Sequence, residues 1–130
     1  MSSNAWDASI NQIRPVRQGG NVAVADVPNG IPYDLLCDIT IGENLNEHVD
    51  ELVLSVSVIN LTTATQVLNI PVTKALTPVD DTDFFTTERI SFPAPAQSPG
   101  DVLQAVASAQ VKAGSNDDFA TAQSATFVVS

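Results

Sequence analysis

Tyr33-Asp34-Leu35-Leu36-Cys37-Asp38-Ile39-Thr40-Ile41 alternates between two sets of side chains. Tyr33, Leu35, Cys37, Ile39 and Ile41 form one set, and Asp34, Leu36, Asp38 and Thr40 form the other. Successive side chains of a strand point to opposite faces, so this period of two reads as a half-buried strand with an inward and an outward face. The pattern returns downstream, where Leu52, Leu54, Val56 and Val58 alternate with Val53, Ser55, Ser57 and Ile59. A third inward set, Leu68, Ile70 and Val72, is interrupted by Pro71, and a proline that cannot donate to a ladder marks an edge strand.

Residues 84–92 suit a fourth strand, with Thr86, Thr87, Ile90 and Phe92, and Ala125, Phe127 and Val129 mark a last one. Toward the N-terminus, residues 10–17 and 22–27 read as two shorter strands around Gln18-Gly19-Gly20-Asn21. Residues 101–113 fit two descriptions. Asp101 as N-cap and Gly114 as stop would frame a helix rich in alanine. The inward set Leu103, Ala105, Ala107, Ala109 and Val111, with a short hairpin to Phe119, would make a strand, which is the reading we take. Turn signals at Pro28-Asn29-Gly30, Thr62 to Thr65, Pro93 to Gly100 and Gly114-Ser115-Asn116 separate the segments. The expectation is one all-β domain, a two-sheet antiparallel sandwich of about seven or eight strands.

The chain has 130 residues and one cysteine, Cys37, so no internal disulfide and no cysteine-rich metal cage is expected. A single domain of this length buries a sufficient core without them. With 15 acids against 5 bases the formal charge is −10. Such a surface repels phosphate, which argues against a nucleic-acid partner and against docking on an anionic membrane. Residues 1–13 contain Asp7 and no apolar run, so no secretory signal is expected, and no stretch approaches the length of a membrane helix. The expectation is a soluble protein made in the cytosol, with a particle or an extracellular destination left open.

The order of these strands resembles an immunoglobulin-like or fibronectin-type sandwich over residues 33–129. Cys37 stands where the immunoglobulin pattern has its second-strand cysteine, but the sixth-strand positions hold Ala105, Ala107 and Ala109. No tryptophan lies between Leu52 and Leu61, and Pro99-Gly100-Asp101-Val102-Leu103 replaces the tyrosine corner. The resemblance therefore implies architecture, and that architecture hosts many functions.

Nothing resembles a catalytic constellation, and the chain reads as a non-enzyme. His48 is the only histidine, and it lies in the polar run Glu47-His48-Val49-Asp50. Cys37 falls on an inward face, where a cysteine behaves as a small hydrophobe. Fifteen acids guarantee carboxylate pairs, but the aromatics that would line a sugar cleft are few. Asn60-Leu61-Thr62 matches the glycosylation acceptor pattern by chance.

Two other features bear on function. The loops at residues 42–51, 75–83 and 114–118 are expected at one end, bringing Glu43, Glu47, Asp50, Glu51, Asp80, Asp81, Asp83, Asp117 and Asp118 together. Carboxylates of this kind are calcium ligands, with Asp80, Asp81, Asp83, Asp117, Asp118, Glu43 and Glu47 as candidates, and equally a source of solubility or a site for a basic partner. The second feature is an outward face that, apart from Lys112 at its margin, has no charge: Val53, Ser55, Ser57, Ile59 and Leu61; Val102, Gln104, Val106, Ser108 and Gln110; Ala122, Ser124, Thr126 and Val128. Interface cores are depleted of charge in this way. Trp6, in the polar N-terminal stretch, is either a plug on the core or an anchor into a neighbour. The expected function is a structural or interaction subunit of a repeated assembly such as a particle, fibre or surface layer, associating with itself or another protein. The alternative is a calcium-dependent module that binds a carbohydrate or a protein.

Overall fold

The computed structural model describes residues 8–95, 97–114 and 116–130. The chain runs β1 (Ala8–Arg17), β2 (Asp26–Val27), β3 (Tyr33–Ile41), α1 (Glu43–Asn46), β4 (Glu51–Asn60), β5 (Thr65–Ala75), β6 (Phe84–Phe92), β7 (Val102–Ala113), β8 (Asn116–Gln123) and β9 (Phe127–Val129). Two sheets pack face to face. The small sheet has the order β1-β3-β6, and the large sheet has the order β2-β9-β7-β4-β5, with β8 also pairing β7. All pairings are antiparallel except β2 with β9. The all-β sandwich expected from the alternation is the fold. Residues 102–113 are strand, and Pro71 lies on β5, an edge strand that pairs only β4.

The core is the inward half of each alternating segment. Leu35, Cys37, Ile39 and Ile41 of β3 face Leu52, Leu54, Val56 and Val58 of β4 and the alanine row of β7 across the sandwich. The alanines matter because β7 is the middle strand of the large sheet, flanked by β4 and β8, and small side chains let larger ones from the small sheet fill the space between the layers. Tyr33 stacks on Phe92 and meets Phe127 edge-on, which fills the end of the core away from α1.

Three expectations need correction. Residues 22–27 do not form a full strand: only Asp26–Val27 pairs, Ala23 makes an isolated bridge to Val16, and Val22 is 80% exposed. Residues 42–50 are not simply a polar loop, because one helical turn buries Leu45 and Asn46, and Val49 follows them into the core. The C-terminal strand divides in two. From Gln123, opposite Val106, to Phe127, opposite Leu103, the chain takes four steps against three on β7. The extra residue reverses which face each side chain takes. Hence Phe119, Thr121 and Gln123 of β8 lie on the outer face, opposite Gln110, Ser108 and Val106, while Ala122 packs on the core and Ser124 is buried. Ser124 completes the break: its hydroxyl accepts the Ala105 N–H at 2.9 Å and donates to the Ala125 carbonyl at 2.8 Å.

Among the described residues no helix is long and apolar enough to cross a membrane.

Candidate functional site: a neutral face and an acidic end

The two outer faces of the sandwich differ in how they handle charge. On the small sheet, Asp34, Leu36 and Asp38 of β3 point outward, yet Asp34 and Leu36 are buried. The cause is the pair of arginines that flank Leu36 in register, Arg14 on β1 and Arg89 on β6. Arg14 reaches Asp38 at 2.9 Å and Arg89 reaches Asp34 at 2.7 Å, so their aliphatic stems lie across the leucine. Arg89 also donates to the Gly20 carbonyl and the Asn21 amide oxygen, and the Gly19 N–H donates to Asp34. Burial alone would raise the Asp34 pKa. The Gly19 N–H, the Arg89 guanidinium and the Ser91 hydroxyl outweigh it and hold the carboxyl below its usual value. This face is a closed ionic lattice.

The outer face of the large sheet carries no such lattice. Across β5, β4, β7 and β8 it presents Thr73, Pro71 and Asn69; Val53, Ser55, Ser57 and Ile59; Val102, Gln104, Val106, Ser108 and Gln110; and Phe119, Thr121 and Gln123, with Val128 of β9 beside Val102. Charge appears at its margin, where Lys112 pairs Glu51 at 3.6 Å and Asp117 lies opposite Lys112. Asn69 donates to the hydroxyls of Ser55 and Ser57, which ties β5 to β4 on the surface itself. Phe119 is 67% exposed here, an apolar side chain whose place on this face the sequence reading missed because it depended on the parity of β8. Val53, Ile59, Val102, Val106 and Val128 stand where expected. Leu61 is exposed in the turn after β4, where its N–H donates to the Val102 carbonyl, and Trp6 lies outside the described residues.

The excess negative charge is concentrated elsewhere. Each of the five lysines and arginines pairs with one acid: Arg14 with Asp38, Arg17 with Asp26, Lys74 with Glu88, Arg89 with Asp34 and Lys112 with Glu51. Of the ten remaining acids, Asp7 lies outside the described residues and Asp101 sits at the far end, hydrogen-bonded to Asn60 and Ser98. The other eight are Glu43, Glu47, Asp50, Asp80, Asp81 and Asp83, in the connections between β3 and β4 and between β5 and β6, and Asp117 and Asp118, at the start of β8.

These loops do meet at one end. Asn46 donates its side-chain amide to the Thr82 carbonyl at 3.0 Å, and Val79 donates its N–H to the Asn46 carbonyl. Asp50 ties the third loop in: its carboxylate accepts the Gly114 N–H at 2.8 Å, and its backbone bonds Lys112 and Leu76. Gly114 has φ +62°, a conformation that glycine adopts without penalty and that lets β7 turn into β8. Asp118 accepts the Ala8 N–H at 2.6 Å, joining β8 to β1, and Asp117 accepts from Gln110. Two of the candidate calcium ligands are thus engaged with protein donors. Among the described residues, no three His, Cys, Asp or Glu side chains converge as a cation would require.

The remaining candidates are easily located. Cys37 is fully buried, and its thiol is pushed up to about 12 by burial and by the nearby Asp38 and Glu88, so it stays protonated at neutral pH. His48 is exposed beyond α1, at the acidic end. Asn60 is fully buried, with its amide donating to Gln97 and Asp101 and accepting from Thr63, so the acceptor pattern there is closed to a glycan. An apolar hollow of about 220 Å³ beside Tyr33, Leu68, Phe92 and Leu103 has Tyr33 as its one titratable lining group, and burial raises the pKa of that phenol far above its ordinary value.

No protein-family model matches the chain, and no curated protein matches it.

Proposed function

We propose that the protein is a non-catalytic structural subunit of a repeated assembly, and that a second copy of the chain packs on the outer face of its large sheet. The observation that carries this reading is the distribution of charge. A molecule of net charge −10 meets its own copy against strong repulsion wherever carboxylates face each other. The large sheet's outer face is the broad surface from which they are missing. A solvated sheet face ordinarily alternates core residues with charged or strongly polar ones. Here the outward positions are Val, Ile, Ser, Thr, Asn, Gln, Pro71 and Phe119.

The size of the face supports the same reading. Four strands about 4.8 Å apart, each spanning about eight residues at about 3.3 Å rise, cover about 500 Å² per copy. The pair would bury about 1,000 Å², where specific interfaces begin. Phe119 and the valines supply apolar anchors, while the Ser and Thr hydroxyls and the Gln amides supply hydrogen bonds.

The test is the mass of the protein in solution, for wild type and for Ile59→Lys combined with Val106→Lys. Both side chains are partly exposed on the face, so the monomer tolerates lysine. The proposal expects an oligomer that the double substitution converts to monomer. A wild type that is monomeric at tens of micromolar overturns it.

A further inference from the structure

Resting on the reading that copies meet through the large sheet, we infer that they pack antiparallel, with their acidic ends at opposite ends of the pair. Two sheets can stack with a two-fold axis along the strands or across them. An axis along the strands keeps both copies pointing the same way and brings the 42–50 and 76–83 loops and the first residues of β8 in one copy beside those of the other. An axis across the strands reverses one copy. β7, the strand flanked by β4 and β8, then lies over its own counterpart, and each acidic end lies beyond the partner's neutral end, where the 61–64 turn is uncharged and Asp101 is engaged with Asn60.

The difference is large because the charge sits at one end. Stacked sheets lie about 10 Å apart, so the centres of two face-to-face sandwiches are about 20 Å apart. In the parallel pair, eight carboxylates oppose eight at about that distance. In the antiparallel pair, strands of 10 to 12 residues separate the two groups by about 45 Å. With screening lengths of about 8 Å at physiological salt and about 30 Å at 10 mM, the parallel arrangement is disfavoured by about fivefold in the first case and by more than a thousandfold in the second. The paired charges on the rest of the surface contribute little to this preference.

The arrangement is read by pulsed electron-spin distances between nitroxides on Thr77→Cys, an exposed position on the 76–83 loop. Cys37 is buried, so the label goes to residue 77 alone. An antiparallel pair places the labels beyond about 40 Å, and a parallel pair places them within about 30 Å, from the same spacings. The dissociation constant measured at 10 mM and at 150 mM salt is a second readout. It changes by about tenfold for the antiparallel pair and by more than a thousandfold for the parallel one. Short distances in a protein of dimeric mass overturn the orientation and leave the face intact. A monomeric mass overturns the face and the orientation together.

Discussion

Replacing Arg89 with alanine tests how the small sheet's outer face is held together. Asp34 is 1% exposed, and its Oδ2 takes both the Arg89 guanidinium at 2.7 Å and the Gly19 N–H at 2.9 Å. Its Oδ1 has no donor within hydrogen-bonding distance among the described residues, so Oδ2 carries most of the compensation for burial. Removing one partner of a fully buried ion pair costs about 3–5 kcal/mol, because the other charge is left uncompensated. Arg89 is about one-third exposed, and water can replace part of what it supplies, so we expect about 2–3 kcal/mol at pH 7. In urea this lowers the unfolding midpoint by about 1–2 M. The pH dependence identifies the cause. The folded-state pKa of Asp34 is lowered, so its contribution is present above the unfolded value near 4 and is lost as pH falls through the lower folded value. In Arg89→Ala the burial of Asp34 is less well offset, its carboxyl takes up a proton more readily, and the gap to wild type narrows as pH falls toward 3. A gap below 0.5 kcal/mol at pH 7, or one equally wide at both pH values, would refute the reasoning.

Ser124→Ala removes the acceptor of the buried Ala105 N–H at the junction of β8 and β9, and should lower stability by about 1–2 kcal/mol in the same urea assay. A change within error would mean that this junction does not depend on the serine. Millimolar calcium separates the two readings of the acidic end: a structural subunit keeps its melting temperature, whereas a rise of several degrees would make the calcium-dependent module the leading reading.

The alternation of apolar and polar residues made most strands legible, because burial of one face imposes period two whatever the partner strand. The acidic end was legible for a related reason: in antiparallel architecture every second connection returns to the same end, so charges after β3, β5 and β7 had to meet. Three features were hidden. The parity change at Ser124 is one inserted residue with no glycine or proline to announce it, and it moved Phe119 onto the outer face. The burial of Leu36 depends on two arginine stems from strands far apart in sequence. The helical turn at Glu43–Asn46 is four residues long, too short for a periodic signal, although Leu45 and Val49 stand one turn apart. In each case the deciding contact is tertiary.

The central claim is that the uncharged face of the large sheet is an interface between copies of this chain. Sedimentation equilibrium over a concentration series, at physiological salt and tens of micromolar protein, tests it most directly. The account predicts a wild-type mass at least twice that of the chain, and a single-chain mass for Ile59→Lys combined with Val106→Lys, which buries unpaired ammonium groups in any such contact. A wild type that sediments as one chain throughout the series contradicts the claim, as does an oligomer whose mass the double substitution leaves unchanged.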